Sequence, residues 1–316
     1  MKLSGRLIIL LPMVLAVVAF VLSMLSLFAG HKQGFMEDYA IVRLNTSMIG
    51  HGLLDDKKST DKGKDGDKKG GLLGDVKDWW DDKKGDAKDK INDVTGHIAD
   101  KLAKKIGVSE WYSLHVMDSC EGFYAPNTTA PNPGFNITNC TSSGPSDRFN
   151  LTEIVDKELK VGPLKLNLAD IKWPDSIQDS IDSLNSALLA LFIFYALGAG
   201  FSGLSALCSL FAIWKPDLRR MALINFVIAS LGFLSILIGS IIVTVAANTA
   251  VKSLNKVGEK IGMSAIKGTK FYILSWVATG FMGIVMLFWM GKFWVVRRER
   301  KRLGFSEKRV KRDVDS

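Results

Sequence analysis

The stretch FYILSWVATGFMGIVMLFWMG, residues 271–291, decides the fold of this protein because it is long, apolar and uncharged. As a helix it would extend about 30 Å, which is enough to cross the hydrocarbon core of a bilayer. The sequence directly behind it, KFWVVRRERKRLGFSEKRVKR, is strongly basic. Because Lys and Arg are retained on the cytoplasmic side of a membrane, we predict that the tail 292–316 is cytoplasmic.

Three further uncharged runs predict three more membrane spans, at residues 7–30, 187–213 and 221–247. The stretch 271–291 then forms the fourth span. An even number of crossings places both termini on the same side of the membrane, which is the cytoplasmic side. The predicted fold is therefore an all-α membrane protein, a bundle of four transmembrane helices with a large first outer loop.

The polar segments between the spans alternate across the membrane. Residues 1–6 carry two basic side chains, which favours a cytoplasmic N-terminus. A cleaved signal peptide is the alternative for the first span, although its apolar core would be shorter, about 7–15 residues. The turn 214–220 contains KPDLRR and is predicted to be cytoplasmic. Residues 31–182 then form the large extracellular loop, and residues 248–270 form a short one.

The basic charge of the chain is concentrated in its tail. The net charge is +9, and the tail 292–316 holds ten Lys and Arg against four Asp and Glu. This distribution does not indicate a nucleic-acid-binding surface, and no nucleic-acid motif accompanies it. The tail either binds anionic lipids of the inner leaflet or serves topology alone. The basic side chains assigned to the lipid role are Arg297, Arg298, Arg300, Lys301 and Arg302.

Glycosylation sequons support the extracellular placement of the large loop. The pattern N-x-S/T occurs five times, and every instance falls within residues 31–182. One sequon is weak evidence, but five confined to one segment are stronger. The predicted glycosylation sites are Asn45, Asn127, Asn136, Asn139 and Asn150.

Two cysteines lie in the large loop, Cys120 and Cys140. In an oxidising compartment we expect them to form a disulfide, and two free thiols are the alternative. The sequence between them, EGFYAPNTTAPNPGFNITN, has three prolines and several sequons. It is interpreted as an exposed, sugar-covered excursion rather than a core strand.

The front half of the loop contains a charged insert. Residues 55–69, DDKKSTDKGKDGDKK, have no apolar side chain and are predicted to be disordered. Residues 87–106 carry apolar side chains three or four apart, which predicts an amphipathic helix. That helix packs on its own ectodomain, or else it lies on the membrane or on a partner. A calcium loop is not supported, because the ligand pattern of an EF-hand is absent.

Small residues in the second span indicate close helix packing. Gly198, Ser202 and Ala206 are spaced four apart, a pattern that lets helix backbones approach each other in lipid. The pattern does not identify the packing partner.

The sequence contains no recognisable catalytic constellation. No zincin motif, phosphate loop, nucleophile elbow or dinucleotide fingerprint occurs, and no span carries a central ionisable residue. We therefore expect a protein that is not an enzyme and that uses no cofactor or metal. Four scattered histidines in the large loop could report external pH, although ordinary surface histidines are the simpler interpretation. These histidines are His31, His51, His97 and His115.

A short motif in the large loop combines an aromatic segment with two cysteines. A Trp-Tyr-Ser-Leu segment leads to Cys-x-Gly and then to a second cysteine. The residues that carry the motif are Trp111, Tyr112, Ser113, Leu114, Cys120, Gly122 and Cys140. The motif resembles one found in the fungal Sur-seven/PalI family, and its arrangement is also similar to that of claudins. The charged insert departs from the family pattern and makes the loop unusually long.

The resemblance implies a fungal plasma-membrane protein that supports static cortical domains, the eisosome-associated compartments, and cell-wall and endocytic organisation. By analogy with claudins, it also implies a small antiparallel sheet above the helix bundle. The PalI branch instead assists ambient-pH signalling and carries a long cytoplasmic tail. The short tail of this chain favours the membrane-domain branch.

Three functions follow as hypotheses. The first is a non-enzymatic organiser that meets membrane lipids, other membrane proteins or further copies of itself, and the cell wall. The second is an accessory component of ambient-pH sensing. The third is a channel or transporter subunit, which a reconstituted flux measurement would test.

Overall fold

The computed structural model describes residues 3–49, 107–128, 130–141, 149–161, 167–169, 173–214 and 219–314. The predicted disordered insert 55–69 and the predicted amphipathic helix 87–106 lie outside these residues.

The described chain contains four long helices and one shorter helix. The helices are α1 Leu3–Phe28, α2 Leu151–Val161, α3 Ser176–Trp214, α4 Arg219–Gly258 and α5 Thr269–Val314. All except α2 are long and apolar enough to cross a membrane. The protein is therefore a multi-pass membrane protein, as the uncharged runs predicted.

The helices continue well beyond the uncharged runs that predicted the spans. Helix α3 begins at Ser176, eleven residues before the predicted span 187–213. Helix α4 ends at Gly258, inside the predicted short loop 248–270. Polar residues can extend a helix outside the hydrocarbon core, because water satisfies their side chains there. Charge therefore limits the length of a span and not the length of the helix that contains it.

Five short strands form one antiparallel sheet. The strands are β1 Val42–Asn45, β2 Trp111–Leu114, β3 Ser119–Ala125, β4 Gly134–Thr141 and β5 Ser264–Lys267. Their order in the sheet is β4-β3-β2-β1-β5. The sheet and the four spans confirm the predicted fold class.

The segment between the two cysteines, which was interpreted as an exposed excursion rather than a core strand, forms the β3–β4 hairpin, and β4 is an exposed edge strand. Strand β3 pairs with β4 from Ser119↔Thr141 to Ala125↔Gly134, with a register shift after Glu121. The three prolines that suggested a loop fall between the strands, and β4 forms an edge of the sheet. Prolines at the tip of a hairpin leave the ladder hydrogen bonds intact.

Helix α2 begins at an N-cap residue and has one apolar face. The Oδ1 atom of Asn150 accepts a hydrogen bond of 3.0 Å from the backbone N–H of Glu153, which is an N-cap. Leu151, Val155 and Leu159 follow at intervals of four residues and are fully buried. This spacing places all three on one face of the helix, which packs inward.

The described chain divides into two compact units. The helical unit combines α1 with residues 190–214 of α3, 219–244 of α4 and 270–314 of α5. Its buried core contains many alanines together with Ile236, Met282 and Trp289. The sheet unit holds the five strands, α2, and the ends of α3 and α4.

Candidate functional site

Strand β2 is the centre of the sheet unit and carries the first half of the family motif. It pairs with β1 on one side and with β3 on the other. Trp111, Tyr112, Ser113 and Leu114 are all buried, so both faces of this strand are covered. Alternating side chains of a strand point to opposite faces, and here neither face is open to water. The motif is therefore a structural core of the sheet unit.

Gly122 is required by the close packing of β3. A Cβ atom at this position would lie 2.8 Å from the Trp111 ring and would collide with the carbonyl oxygen of Asn136 on β4. Any larger residue would have to push a neighbouring strand away. The motif glycine thus allows the tryptophan ring to cover β3.

Cys120 and Cys140 form a disulfide, which confirms the predicted pairing. They are direct partners in the β3–β4 register. Glu37 places a carboxylate oxygen within 4.8 Å of both sulfur atoms. Because the sulfurs are joined to each other, they do not serve as thiolate ligands for a metal. The disulfide instead joins the two strands of the edge hairpin, β3 and β4, to each other.

A buried ionic cluster surrounds Glu37, which lies between α1 and β1. The carboxylate is 3.5 Å from Nε2 of His115 and 3.6 Å from the guanidinium of Arg43. Burial alone would raise the pKa of the Glu37 carboxyl. The hydrogen bond and charge of His115, together with Ser113 and Arg43, lower this pKa by more than burial raises it, so the net shift is downward. The backbone oxygen of Glu37 also accepts a bond of 3.0 Å from Arg43.

Arg43 extends from this cluster across the aromatic side chains of the sheet. Its guanidinium carbon lies 3.8 Å from the centre of the Phe135 ring and 5.8 Å from that of Trp111. A cation over an aromatic face is attracted by the ring quadrupole. Arg43 thus links the ion cluster, the motif strand and the edge strand β4.

A second polar cluster attaches α2 to the motif strand. The Tyr112 hydroxyl donates a short hydrogen bond to Glu158, and Ser109 donates to the same carboxylate through its N–H at 3.3 Å and its hydroxyl at 3.1 Å. Burial raises the pKa of the Glu158 carboxyl, and burial together with the charge of Glu158 raises the pKa of Glu121. Burial and the charge of Glu158 also raise the pKa of Tyr112 well above its ordinary value.

The three predicted packing residues of the second span lie at helix contacts within the helical unit. Gly198 on α3 is buried, and a Cβ there would lie 2.5 Å from the Ile236 side chain on α4. Ser202 is fully buried, and its backbone nitrogen would lie 3.5 Å from a Cβ at Gly232 on α4. Ala206 belongs to the apolar core.

Hydroxyl groups connect three helices in the interior of the helical unit. Ser240 on α4 is bonded to Ser275 at 2.6 Å and to Thr279 at 2.8 Å, both on α5. The Tyr195 hydroxyl on α3 is bonded to Ser275 and lies 3.4 Å from Ser240. These side chains are buried and satisfy one another. In a membrane such bonds hold helices together without an ionised group.

The sequons differ in their surroundings. Asn45 ends β1, and its Oδ1 accepts bonds from the Ser47 backbone at 3.1 Å and hydroxyl at 2.7 Å. Asn127 is buried, with 6% of its surface exposed. Asn136 and Asn139 are exposed on the edge strand β4. The structure thus brings two of the five predicted sites together on one edge of the sheet.

The histidines also differ from their sequence-based interpretation. His115 is not a surface residue, because only 1% of its surface is exposed and it faces Glu37. His31 is half-exposed and lies 3.7 Å from the Asp118 carboxylate. His51 and His97 lie outside the described residues. Because Glu37 is far from His115 in the chain, the sequence around His115 does not reveal this contact.

The basic residues assigned to lipid binding belong to α5, which continues to Val314. Arg297 and Arg298 are exposed, and Arg298 lies 5.8 Å from the centre of the Trp294 ring. Arg300, Lys301 and Arg302 follow in the same helix. The basic tail is thus a helical continuation of the fourth span.

Sequence reasoning missed the residues that join the elements of the sheet unit: Glu37, Arg43 and Glu158. Arg43 interrupts the apolar run of β1, and an inward-facing charge in such a short strand is a signal that could have been noticed. The N-cap and the apolar spacing of α2, the helix that carries Glu158, can be recognised in the sequence. The tyrosine partner of Glu158 and the histidine partner of Glu37 lie 46 or more residues away, so the sequence does not reveal these contacts.

Comparison with known proteins gives one match. The family model described as the SUR7/PalI family matches residues 8–288. No curated protein and no solved structure matches the chain significantly.

Proposed function

Because the chain belongs to the SUR7/PalI family, we propose that it is a non-enzymatic protein of a fungal plasma membrane that organises static cortical domains. The proposal places both termini in the cytoplasm and the sheet unit outside the cell. Its partners are membrane lipids, further membrane proteins or copies of the chain, and the cell wall. This organisation of the cortex would support cell-wall maintenance and endocytosis.

The observation that carries the proposal is the packed interior of the helical unit. Alanines let the helices pack closely, and the hydroxyl cluster around Ser240 is satisfied by neighbouring hydroxyls. Large apolar side chains on the four long helices are exposed outside this interior, including Leu11, Leu207, Leu234 and Ile273. A packed bundle leaves an apolar exterior that can contact lipid or neighbouring membrane proteins, and dispersion contributes to lateral association there.

The sheet unit supports an external role because it is built as a rigid body. Its central strand is buried on both faces, its edge hairpin is held by a disulfide, and Arg43 ties the hairpin to the ion cluster. The disulfide itself favours an oxidising, extracellular setting. Such a unit can present a fixed surface to the wall or to neighbouring proteins.

The cytoplasmic tail supplies a third contact. Ten basic residues lie in the tail 292–316, and the exposed Arg297 and Arg298 lie at its start. Each Lys or Arg near an anionic leaflet contributes about 1 kcal/mol to lipid binding at physiological ionic strength. Several such contacts would hold the protein in regions rich in anionic lipid.

A second candidate function, an accessory role in ambient-pH sensing, is favoured by the cluster around Glu158. Burial raises the pKa of the Glu158 and Glu121 carboxyls, so both ionise at a higher pH than exposed carboxyls do. Ionisation would oppose the docking of α2 on strand β2. In this case Glu158→Gln should weaken the growth response to a change in external pH, and an unchanged response would remove the candidate.

The organiser proposal is tested by removing the protein from its native cell and imaging an independent marker of the cortical domains. We expect fewer or less persistent domains and greater sensitivity to cell-wall stress. Restoring the wild-type chain should reverse both effects. Domains of normal number and lifetime in the absence of the protein would contradict the proposal.

A further inference from the structure

A cavity of about 270 Å³ lies within the sheet unit, beside the start of α2. Its walls come from the β2–β3 turn, the end of β4, the first turn of α2 and the N-terminal part of α3. The lining combines carboxylates, amides and hydroxyls with the Phe149 ring, the His115 imidazole and several apolar side chains. The residues that the argument uses are Asp118, Thr141, Phe149, Asn150, Glu153 and Asn185.

The mixed lining fits one sugar ring. Carboxylate, amide and hydroxyl groups can bond sugar hydroxyls, while the face of Phe149 offers an apolar surface to the ring carbons. Pockets for larger ligands occupy roughly 300–1,000 Å³, so this cavity is sized for a single residue rather than for an oligosaccharide. Phe149 is itself fixed, because its backbone N–H and oxygen are both bonded to the Asn185 amide, at 3.3 and 2.8 Å.

One wall residue, Asn150, is also the asparagine of a sequon. Its side chain is oriented at both ends by Glu153. The Oδ1 atom accepts from the Glu153 N–H at 3.0 Å, and Nδ2 donates to the Glu153 carboxylate at 3.1 Å. An amide nitrogen carries two hydrogens, and the Glu153 bond uses one of them. The second hydrogen is the one that a sugar would replace, so the cap and the glycan are compatible.

We propose that the first N-acetylglucosamine of a glycan on Asn150 occupies this cavity, between the first turn of α2 and the β2–β3 turn. The sugar would be covalently attached at the rim, so no free ligand is needed to fill the space. Its acetamido group and hydroxyls would meet the polar wall around Asp118 and Thr141. This inference depends on the proposed extracellular placement of the sheet unit, since glycan transfer occurs only on the lumenal side.

The remaining sequons provide an internal comparison. Asn136 lies exposed on the edge strand β4 and is not part of the cavity wall. A glycan there would project into water, whereas one on Asn150 would have its first sugar covered by protein. The two sites should therefore differ in how easily an enzyme reaches the bond between asparagine and sugar.

The test uses full-length protein purified in mild detergent and two glycosidases, with glycopeptide mass spectrometry as the readout. Endoglycosidase H cuts between the first two sugars, and peptide-N-glycosidase F cuts the bond to asparagine. We expect endoglycosidase H to trim both sites in the native protein. Peptide-N-glycosidase F should release the Asn136 glycan but act about tenfold or more slowly at Asn150, because the covered bond becomes accessible only on local opening.

Each other outcome has a defined meaning. After denaturation both glycans should be released at similar rates, which controls for intrinsic reactivity. Equal native release rates at Asn136 and Asn150 would overturn the inference. A glycan on Asn136 with none on Asn150 would overturn it too, while leaving the extracellular placement intact. Absence of glycans from both sites would also overturn the inference, and absence from all five sequons would count against the extracellular placement and with it the proposed function.

Discussion

The contact between Gly198 and Ile236 permits a sharp test of how the helical unit packs. A Cβ at Gly198 would lie 2.5 Å from Cγ1 of Ile236, well inside van der Waals contact, and Ile236 is fully buried. Gly200 lies two residues further along the same helix, and a Cβ there would meet nothing within 4 Å. Gly198→Ala and Gly200→Ala are therefore the same chemical change in two different environments.

The expected magnitude follows from these two environments. Both substitutions replace glycine by alanine in a helix and gain about 0.8–1.0 kcal/mol of helix propensity. Only Gly198→Ala also forces a methyl group into a packed interface, which costs about 1–3 kcal/mol. The gain is common to both variants, so Gly198→Ala should be less stable than Gly200→Ala by about 1–3 kcal/mol. This corresponds to a melting temperature roughly 2–12 °C lower.

The assay is thermal unfolding of the two variants in the same detergent, followed by tryptophan fluorescence and by loss of the monodisperse peak in size-exclusion chromatography. Ile236→Ala in the Gly198→Ala background should recover part of the loss, because it removes the obstructing atoms. If Gly198→Ala and Gly200→Ala melt at the same temperature, the helices do not approach each other at Gly198 and the packing account is wrong.

Three further predictions concern the sheet unit and the tail. Replacing Cys120 and Cys140 by serine opens a covalent loop of 20 residues and should destabilise the sheet unit by about 3 kcal/mol, measured as faster limited proteolysis. Burial raises the pKa of Glu158 above its ordinary value of 4.5, so the folded state holds this proton more tightly than the unfolded state does. The melting temperature should then fall as the pH rises from 4.5 through the raised pKa, and Glu158→Gln should flatten the profile; a profile that is equally steep in the variant would contradict this assignment. Neutralising the basic tail should abolish binding to vesicles containing anionic lipid without changing membrane insertion, whereas unchanged vesicle binding and unchanged clustering would remove the lipid role. The substituted residues are Arg297, Arg298, Arg300, Lys301 and Arg302.

The membrane architecture was predictable from the sequence because its signal is local. An uncharged run such as 271–291 leaves few physical alternatives, since backbone groups in lipid must be satisfied within a helix. The disulfide was predictable for a similar reason, because the large loop holds only Cys120 and Cys140. The sheet was expected by analogy with claudins and not from the spacing of its residues.

The contacts that assemble the sheet unit were not predictable, because their partners are far apart in sequence. Strand β5 lies between α4 and α5 and pairs with β1, more than 200 residues earlier, in the register Val42↔Lys267 to Asn45↔Ser264. Four-residue strands carry too little periodicity to be recognised alone. The β3–β4 hairpin was not predicted because prolines and sequons dominate its composition, and these residues lie at its tip or on its exposed edge.

The measurement that most directly tests the central claim is fluorescence recovery after photobleaching of a C-terminally tagged, full-length protein in its native cell. An organiser of static membrane domains should appear as cortical patches that recover slowly, because its copies are held by lateral contacts. A uniform plasma-membrane signal that recovers as fast as an unrelated four-span protein would contradict the claim.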